Sequence, residues 1–216
     1  MTFGFEHSTK NAESDRGTPQ VADASSRPFE LPAPGSAGDL LLDRATDYFE
    51  RADDIRASLR TIAEEAGTSH RMLQYHFVSR ERLLGAVMLR LRERQIAAGD
   101  DYRMTASTRA EYLTKSWASY LHPGNRVYLD LMIALTNPMS DAVEDESLMR
   151  VLRQSWNSSL VELGIAEGLT PLQAEREARV LRAALRGLHH DLHVSRDVDG
   201  VNAALSVLVE WVTLER

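Results

Sequence analysis

The chain has no cysteine, which excludes disulfides, thiolate metal centres and thiol redox sensing. It also lacks any apolar run near the ~20 residues of a membrane span, and no basic region followed by an apolar stretch opens it. Neither membrane insertion nor export is read from it, so a reducing cytoplasm is the expected location. An excess of positive charge is missing too: 25 Lys and Arg stand against 32 Asp and Glu, a formal charge of −7. No global field draws such a chain to nucleic acid or anionic lipid, so any affinity for DNA has to be local. Glycine-rich phosphate loops, a nucleophile elbow and paired catalytic groups are absent, which leaves no catalytic residues to name and an expectation of no enzymatic activity. Convincing period-two strands are lacking, and the remaining pattern is helical.

What is present suffices for a folded core: 216 residues, 43% of them apolar. Residues 1–38 are rich in Ser, Pro, Gly, Ala and Thr without a sustained hydrophobic period, and are expected to form a disordered tail. From Asp39 the pattern turns helical, with Leu41, Ala45, Tyr48, Phe49 and Ala52 on one face. The densest information lies in Ser58 to Leu84, SLRTIAEEAGTSHRMLQYHFVSRERLL. Leu59, Ile62, Ala63 and Ala66 recur at helical steps behind a possible Ser58 cap, and Gly67 ends that helix by tolerating a left-handed backbone. Thr68 or Ser69 can cap the next helix, which Leu73 and Phe77 hold down one turn apart. This spacing predicts a helix-turn-helix whose second helix projects His70, Arg71, Met72, Gln74, Tyr75 and His76 away from a small core. Ser79 opens a further helix with Leu83, Leu84, Val87, Met88 and Leu91 on one face, followed by the charged run Arg90, Arg92, Glu93 and Arg94.

On Ile62-Ala63, Ala66-Gly67, Ser69, Leu73, Tyr75-His76-Phe77, Ser79 and Leu83-Leu84, the segment from 40 to 95 resembles the DNA-binding domain of TetR-family bacterial transcriptional regulators. It departs from the usual pattern at Arg71, where glycine is common, at Met72 and Gln74, and at Asp53-Asp54, where a Gly-aromatic pair often ends the first helix. The resemblance implies an all-α protein in which residues 39–84 form the helix-turn-helix domain and residues 85–216 a helical bundle for effector binding and dimerisation. It also implies double-stranded operator DNA, a second copy of the chain and a small-molecule effector as partners, with no cofactor. Chemistry suggests the roles on DNA. Arg71 offers two parallel donors to guanine, Gln74 suits adenine and Met72 a thymine methyl, while Ser58, Thr61, Ser69, Tyr75, His76 and Arg80 suit phosphate oxygens.

Helices are expected at 107–121, 125–136, 141–164, 171–194 and 199–215. The fourth carries Ala174, Ala178, Leu181, Leu185, Leu188 and Leu192 at alternating steps of four and three, a coiled-coil-like seam. The last has two apolar stripes: Val201, Leu205, Leu208 and Val212, and Ala204, Val207, Trp211 and Leu214. One stripe is expected to pack in its own domain and the other against something else. Leu181, Leu185, Leu188, Leu192, Leu205, Leu208 and Val212 are the candidate dimer contacts. Trp117, Tyr120, Tyr128, Asp130, Met132 and Trp156 are candidate ligand contacts on the central helices, for an effector expected to be mostly apolar. Asp130 breaks the apolar run Val127 to Leu135 and is expected to be exposed and paired with Arg126. His189 and His193 share a helical face and could clamp a metal ion, but histidines edging a helical interface are the favoured reading, so no metal site is named. A metal-dependent enzyme built on that pair, and a helix-turn-helix used for protein contacts, stand as the alternatives.

Overall fold

The computed structural model describes residues 27–98, 102–137 and 139–214, without the side chains of 102, 104 and 154–158. Helices succeed one another throughout, and no strand occurs among the described residues. They are α1 (Ala37–Ala52), α2 (Leu59–Glu65), α3 (His70–Phe77), α4 (Arg80–Ala97) and the one-turn α5 (Tyr102–Thr105), then α6 (Arg109–Leu121), α7 (Arg126–Thr136), α8 (Glu146–Ala166), α9 (Pro171–Ser195) and α10 (Val198–Thr213). The five spans expected after residue 100 correspond to α6 to α10. Caps set these boundaries: Thr108 accepts from Glu111 N–H, Thr170 and Gln173 form a reciprocal capping box ahead of Pro171, and Asp197 accepts from Gly200 N–H. Helix α8 starts at residue 146 rather than 141, because residues 141–143 form a 3₁₀ turn and the Asp145 carboxylate caps the helix through Ser147 and Leu148 N–H.

Two apolar clusters fill the molecule. The first joins Leu42, Ala45 and Phe49 of α1, Ile62 of α2, and Leu73 and Phe77 of α3 to Leu83, Val87 and Met88 of α4, then continues into Leu131 and Leu135 of α7 and Leu148 and Leu152 of α8. The second unites Leu113 and Trp117 of α6, Leu160 of α8, Leu181 and Leu185 of α9, and Val201, Leu205 and Val212 of α10. Because α4 is buried on nearly every side, the core runs without a break across residue 84. Displacements of α7 or α8 therefore have a packed route to the helix-turn-helix. Ion pairs reinforce the α1–α4 contact: Arg90 bridges Asp39 and Asp43, and Arg94 reaches Asp47 at 2.8 Å and Glu50 at 2.6 Å. Helix α6 is fastened by Arg109, buried between Glu167 and Glu177.

Of the tail expected at 1–38, residues 1–26 lie outside the described residues. Residues 27–38 differ from the expectation. Phe29 is buried in the first cluster, its N–H donates to Ser147 Oγ at 2.9 Å, and Ser36 caps α1 through Asp39 N–H. One aromatic anchor and a cap order this segment without any hydrophobic period.

Candidate nucleic-acid interface and the cavity behind it

The helix-turn-helix is built as its residue types require. Ser58 Oγ accepts from Thr61 N–H at 3.2 Å, and Ser69 Oγ accepts from Met72 N–H at the same distance. Gly67 turns the chain at φ +65°, a conformation that a Cβ would strain. Asp53 ends α1 at φ 49°, taking the left-handed conformation in the place where the TetR pattern usually has glycine. Val78 ends α3 at φ 65°, ψ −56°, and Ser79 N–H reaches back to the Phe77 carbonyl at 2.7 Å. That tight γ-turn is strained for a β-branched residue, and it sets Ser79 to cap α4 through Arg82 N–H.

With Leu73 and Phe77 buried, α3 presents His70, Arg71, Met72, Gln74 and Tyr75 to solvent, Tyr75 at 69% exposure. Ser58, Thr61 and Ser69 lie exposed beside them at the starts of α2 and α3. Ser58 Oγ and Thr61 Oγ1 are 2.9 Å apart and share one proton between them, which leaves a hydroxyl hydrogen to point outward.

Two expected phosphate contacts are placed otherwise. His76 turns inward: its ring lies so close to the start of α1 that a Cβ on Gly38 would meet His76 Nδ1 at 2.9 Å, and Tyr75 meets it edge-on. Arg80 spends its guanidinium on the α1–α2 loop, Nε donating to the Ala57 carbonyl at 3.0 Å and Nη2 to that of Ile55. Arg82 is likewise committed, to Asp145 and Ser147. Sequence spacing cannot distinguish an arginine facing DNA from one facing a carbonyl 25 residues upstream. Arg80 therefore positions the loop that carries α2. Replacing it by Met is expected to lower stability by about 1.5–3 kcal/mol, the worth of a charge-assisted hydrogen bond, read as a shift in the urea midpoint at constant slope.

Behind this surface the central helices enclose a cavity of about 50 Å³. Tyr120, Tyr128 and Met132 line it, joined by Tyr112, Leu185 and the arginines Arg103, Arg182 and Arg186, which the spacing does not single out. Trp117 is buried beside it with Nε1 donating to Asn202 Oδ1 at 2.6 Å, a bond that ties α6 to α10. The side chain of Trp156 lies outside the described residues. Asp130 faces the other way, half-buried at clefts on the outer side of α7, with Arg126 Nε 3.8 Å from its carboxylate. Partial burial raises its pKa and Arg126 opposes the rise.

His189 is 5% exposed. Its ring stacks on Trp117 with centroids 5.3 Å apart and meets Tyr120 edge-on, and neither nitrogen has a hydrogen-bond partner among the described residues. Desolvation pushes its pKa down to about 3. His193, one turn on, is exposed. The pair is thus divided between core and surface, and no group of three or more potential metal ligands occurs among the described residues.

The seam of α9 is also placed otherwise than expected. Leu181, Leu185, Leu205 and Val212 are buried within the chain itself, and Leu188, Leu192 and Leu208 pack against the same cluster. The apolar surface that stays exposed on α10 is part of its second stripe, Ala204, Val207 at 62% and Leu214 at 64%, while Trp211 of that stripe packs half-buried against the cluster. Beside it α9 offers Val180, Ala183, Gly187 and Val194 at helical spacing, and a Cβ at Gly187 would meet nothing within 4 Å.

Solved structures of known proteins share this fold. A candidate transcriptional regulator from Rhodococcus sp. RHA1 superposes with a TM-score of 0.57 at 22% identity, over 82% of this chain and 96% of its own. A candidate TetR-family transcriptional regulator from Rhodococcus sp. gives 0.54 at 22% identity, over 82% and 97%. This is the TetR-family fold. The multidrug binding protein EbrR, solved with imidazole, has the same TetR-like course, with a TM-score of 0.57 at 18% identity over 82% of this chain and 89% of its own. No family model matches the chain, and no curated protein does. In this TetR-like fold no helix of the described residues is long and apolar enough to cross a membrane.

Proposed function

We propose that this protein is a DNA-binding transcriptional regulator, acting in the cytoplasm as a homodimeric repressor that holds a palindromic operator and releases it when a small molecule occupies its central helices. The observation that carries this reading is the outward face of α3, where Arg71, Gln74 and Tyr75 stand exposed on a Ser-capped helix anchored by Leu73 and Phe77. The TetR-like fold supports it, since two of the structures sharing that fold are candidate transcriptional regulators and a third is a multidrug binding protein. No reaction is catalysed in this account. A metal-dependent enzyme finds no support in a histidine pair divided between core and surface.

With Arg80 and Arg82 committed inside the protein, phosphate contacts fall to Ser58, Thr61, Ser69 and Tyr75, to His70, and to N–H groups at the starts of α2 and α3. Base reading falls to Arg71, with Met72 and Gln74 beside it. The exposed apolar positions of α9 and α10 are the proposed dimer surface, a two-fold contact that sets the spacing of two α3 helices. Release follows by population shift: a ligand that fits only a conformation with mis-spaced α3 helices lowers operator affinity by its preference for that state.

Selection from a random duplex pool tests this reading. An inverted repeat is expected to emerge, and enrichment of no sequence at low salt defeats the proposal in favour of a protein-contact module. On the selected duplex, Arg71→Ala is expected to cost about 1–3 kcal/mol and to relax preference at one base pair of each half-site, whereas Tyr75→Phe weakens all sequences alike. An unchanged selection profile for Arg71→Ala removes it from base reading.

A further inference from the structure

The cavity among α5, α6, α7 and α9 carries more positive charge than its surroundings answer. Arg182 lies half-buried on α9, and its Nη1 is buried with no hydrogen-bond partner among the described residues. Arg179 and Arg186 flank it at helical spacing on the same helix and act on it as like charges, while Arg103 of α5, which has contacts of its own, lines the same cavity. Among the described residues, no carboxylate pairs with Arg182 or Arg186. Other buried or half-buried arginines of this chain are answered: Arg82 by Asp145, Arg90 by Asp39 and Asp43, Arg109 by Glu167 and Glu177. A desolvated guanidinium without a counter-charge costs stability, and desolvation together with its arginine neighbours already lowers the Arg182 pKa. The rest of the wall is aromatic or apolar, with Tyr112, Tyr120, Tyr128, Met132 and Leu185.

We propose that this cavity receives the carboxylate of a small aromatic acid, with the Arg182 guanidinium as its counter-ion and the tyrosines around its ring. The inference rests on the regulator reading for its consequence, release of DNA, but not for the binding itself. Planar, forked donors suit a carboxylate better than a neutral or cationic head group. It also replaces the mostly apolar effector expected from the sequence by an anion. About 50 Å³ holds a carboxylate but not the ring attached to it, since ligand pockets usually enclose roughly 300–1,000 Å³. Seating the ring therefore displaces Tyr128 and Met132 of α7, which belong to the same packed cluster as Val87 and Leu91 of α4. Through α4 that displacement reaches the helix-turn-helix.

The test is calorimetric titration of the full chain with benzoate and 2-naphthoate, their neutral amides, and benzamidine as the cationic counterpart. The acids are expected to bind at millimolar concentration or below, the amides about tenfold or more weakly, and the cation not at all. Arg182→Met is expected to lose the acids while melting at the same temperature as wild type or higher, because it removes an unanswered charge. Arg186→Gln, at an exposed position, is expected to weaken the acids several-fold. Equal binding of acids and amides, retained affinity in Arg182→Met, or no binding of either acid overturns the proposal. The same preparations are assayed on the selected duplex. A protein that binds duplex but neither acid sinks the anion site alone, and one that binds acids but no duplex sinks the regulator reading alone.

Discussion

Leu185→Glu is expected to abolish cooperative folding, whereas Val207→Glu is expected to leave the chain folded and dissociate its dimer. The two residues belong to neighbouring helices and look alike in sequence, yet Leu185 is 4% exposed and Val207 62%. At position 185 the carboxylate enters a packed cluster formed by Leu113, Leu160, Leu181 and Val201. Burying a carboxylate there costs several kcal/mol in desolvation and in the lost packing of Leu185, which Arg182 on the same cavity wall offsets only in part, against a total stability of about 5–15 kcal/mol. At position 207 the new charge stays in water in the monomer. In a two-fold interface across the α10 stripe, each copy would bring its own carboxylate to the same small area. Circular dichroism melting reports folding and light scattering reports mass. A Val207→Glu protein that remains dimeric moves the interface off α10, and a folded, monomeric Leu185→Glu protein returns it to the seam.

Acid is expected to destabilise the protein well above the carboxylate range, through His189. Its pKa is about 3 in the fold and near 6.5 in the unfolded chain. Below 6.5 the unfolded state therefore binds the proton that the folded state refuses, and stability falls by roughly 1.4 kcal/mol per pH unit until the folded pKa is reached. Its contribution is whole above pH 6.5 and lost progressively on the way down. Between that point and about pH 4.5 the slope belongs mainly to His189, because the paired carboxylates are still ionised. The hydrogen bond from Arg90 holds Asp39 below its ordinary value; at Asp145 burial pushes upward, but the bonds from Arg82, Ser147 and Leu148 carry it below as well. His189→Phe keeps a ring against Trp117 and removes two unpartnered nitrogens, so it is expected to be at least as stable at neutral pH and to flatten the slope in that window. Urea titrations at several pH values measure this, and an unchanged slope in His189→Phe excludes His189 as its source.

The parts of this molecule that were legible in the sequence are those written in local code. Ser58, Gly67 and Ser69 announce two helix starts and a turn, and Leu73 and Phe77 say which face of α3 is inward. Each of these signals acts within four or five residues. What stayed hidden depends on partners far along the chain. Arg80 reads as a phosphate contact until the loop carbonyls at Ile55 and Ala57 come beside it. His76 reads as a phosphate donor until Gly38 packs on it. On α10 the periodicity found both stripes, but only packing says which is spent inside: Leu205 and Val212 are buried in the chain's own cluster, while Val207 and Leu214 stay exposed. The cavity was half legible: Tyr120, Tyr128 and Met132 stand out as large adaptable side chains on one pair of helices. Arg103, Arg182 and Arg186 carried no signal, because arginines on α5 and α9 read as a solvated face until the fold brings them to the wall of one cavity.

The central claim is that two copies of α3 read DNA together from one dimer, and the mass of the complex on the selected duplex tests it most directly. Sedimentation of the protein with that duplex is expected to give two chains bound to one inverted repeat, with the Val207→Glu protein failing to form the complex at the same concentration. One chain per duplex with wild-type affinity, or a complex unaffected by Val207→Glu, would contradict the account.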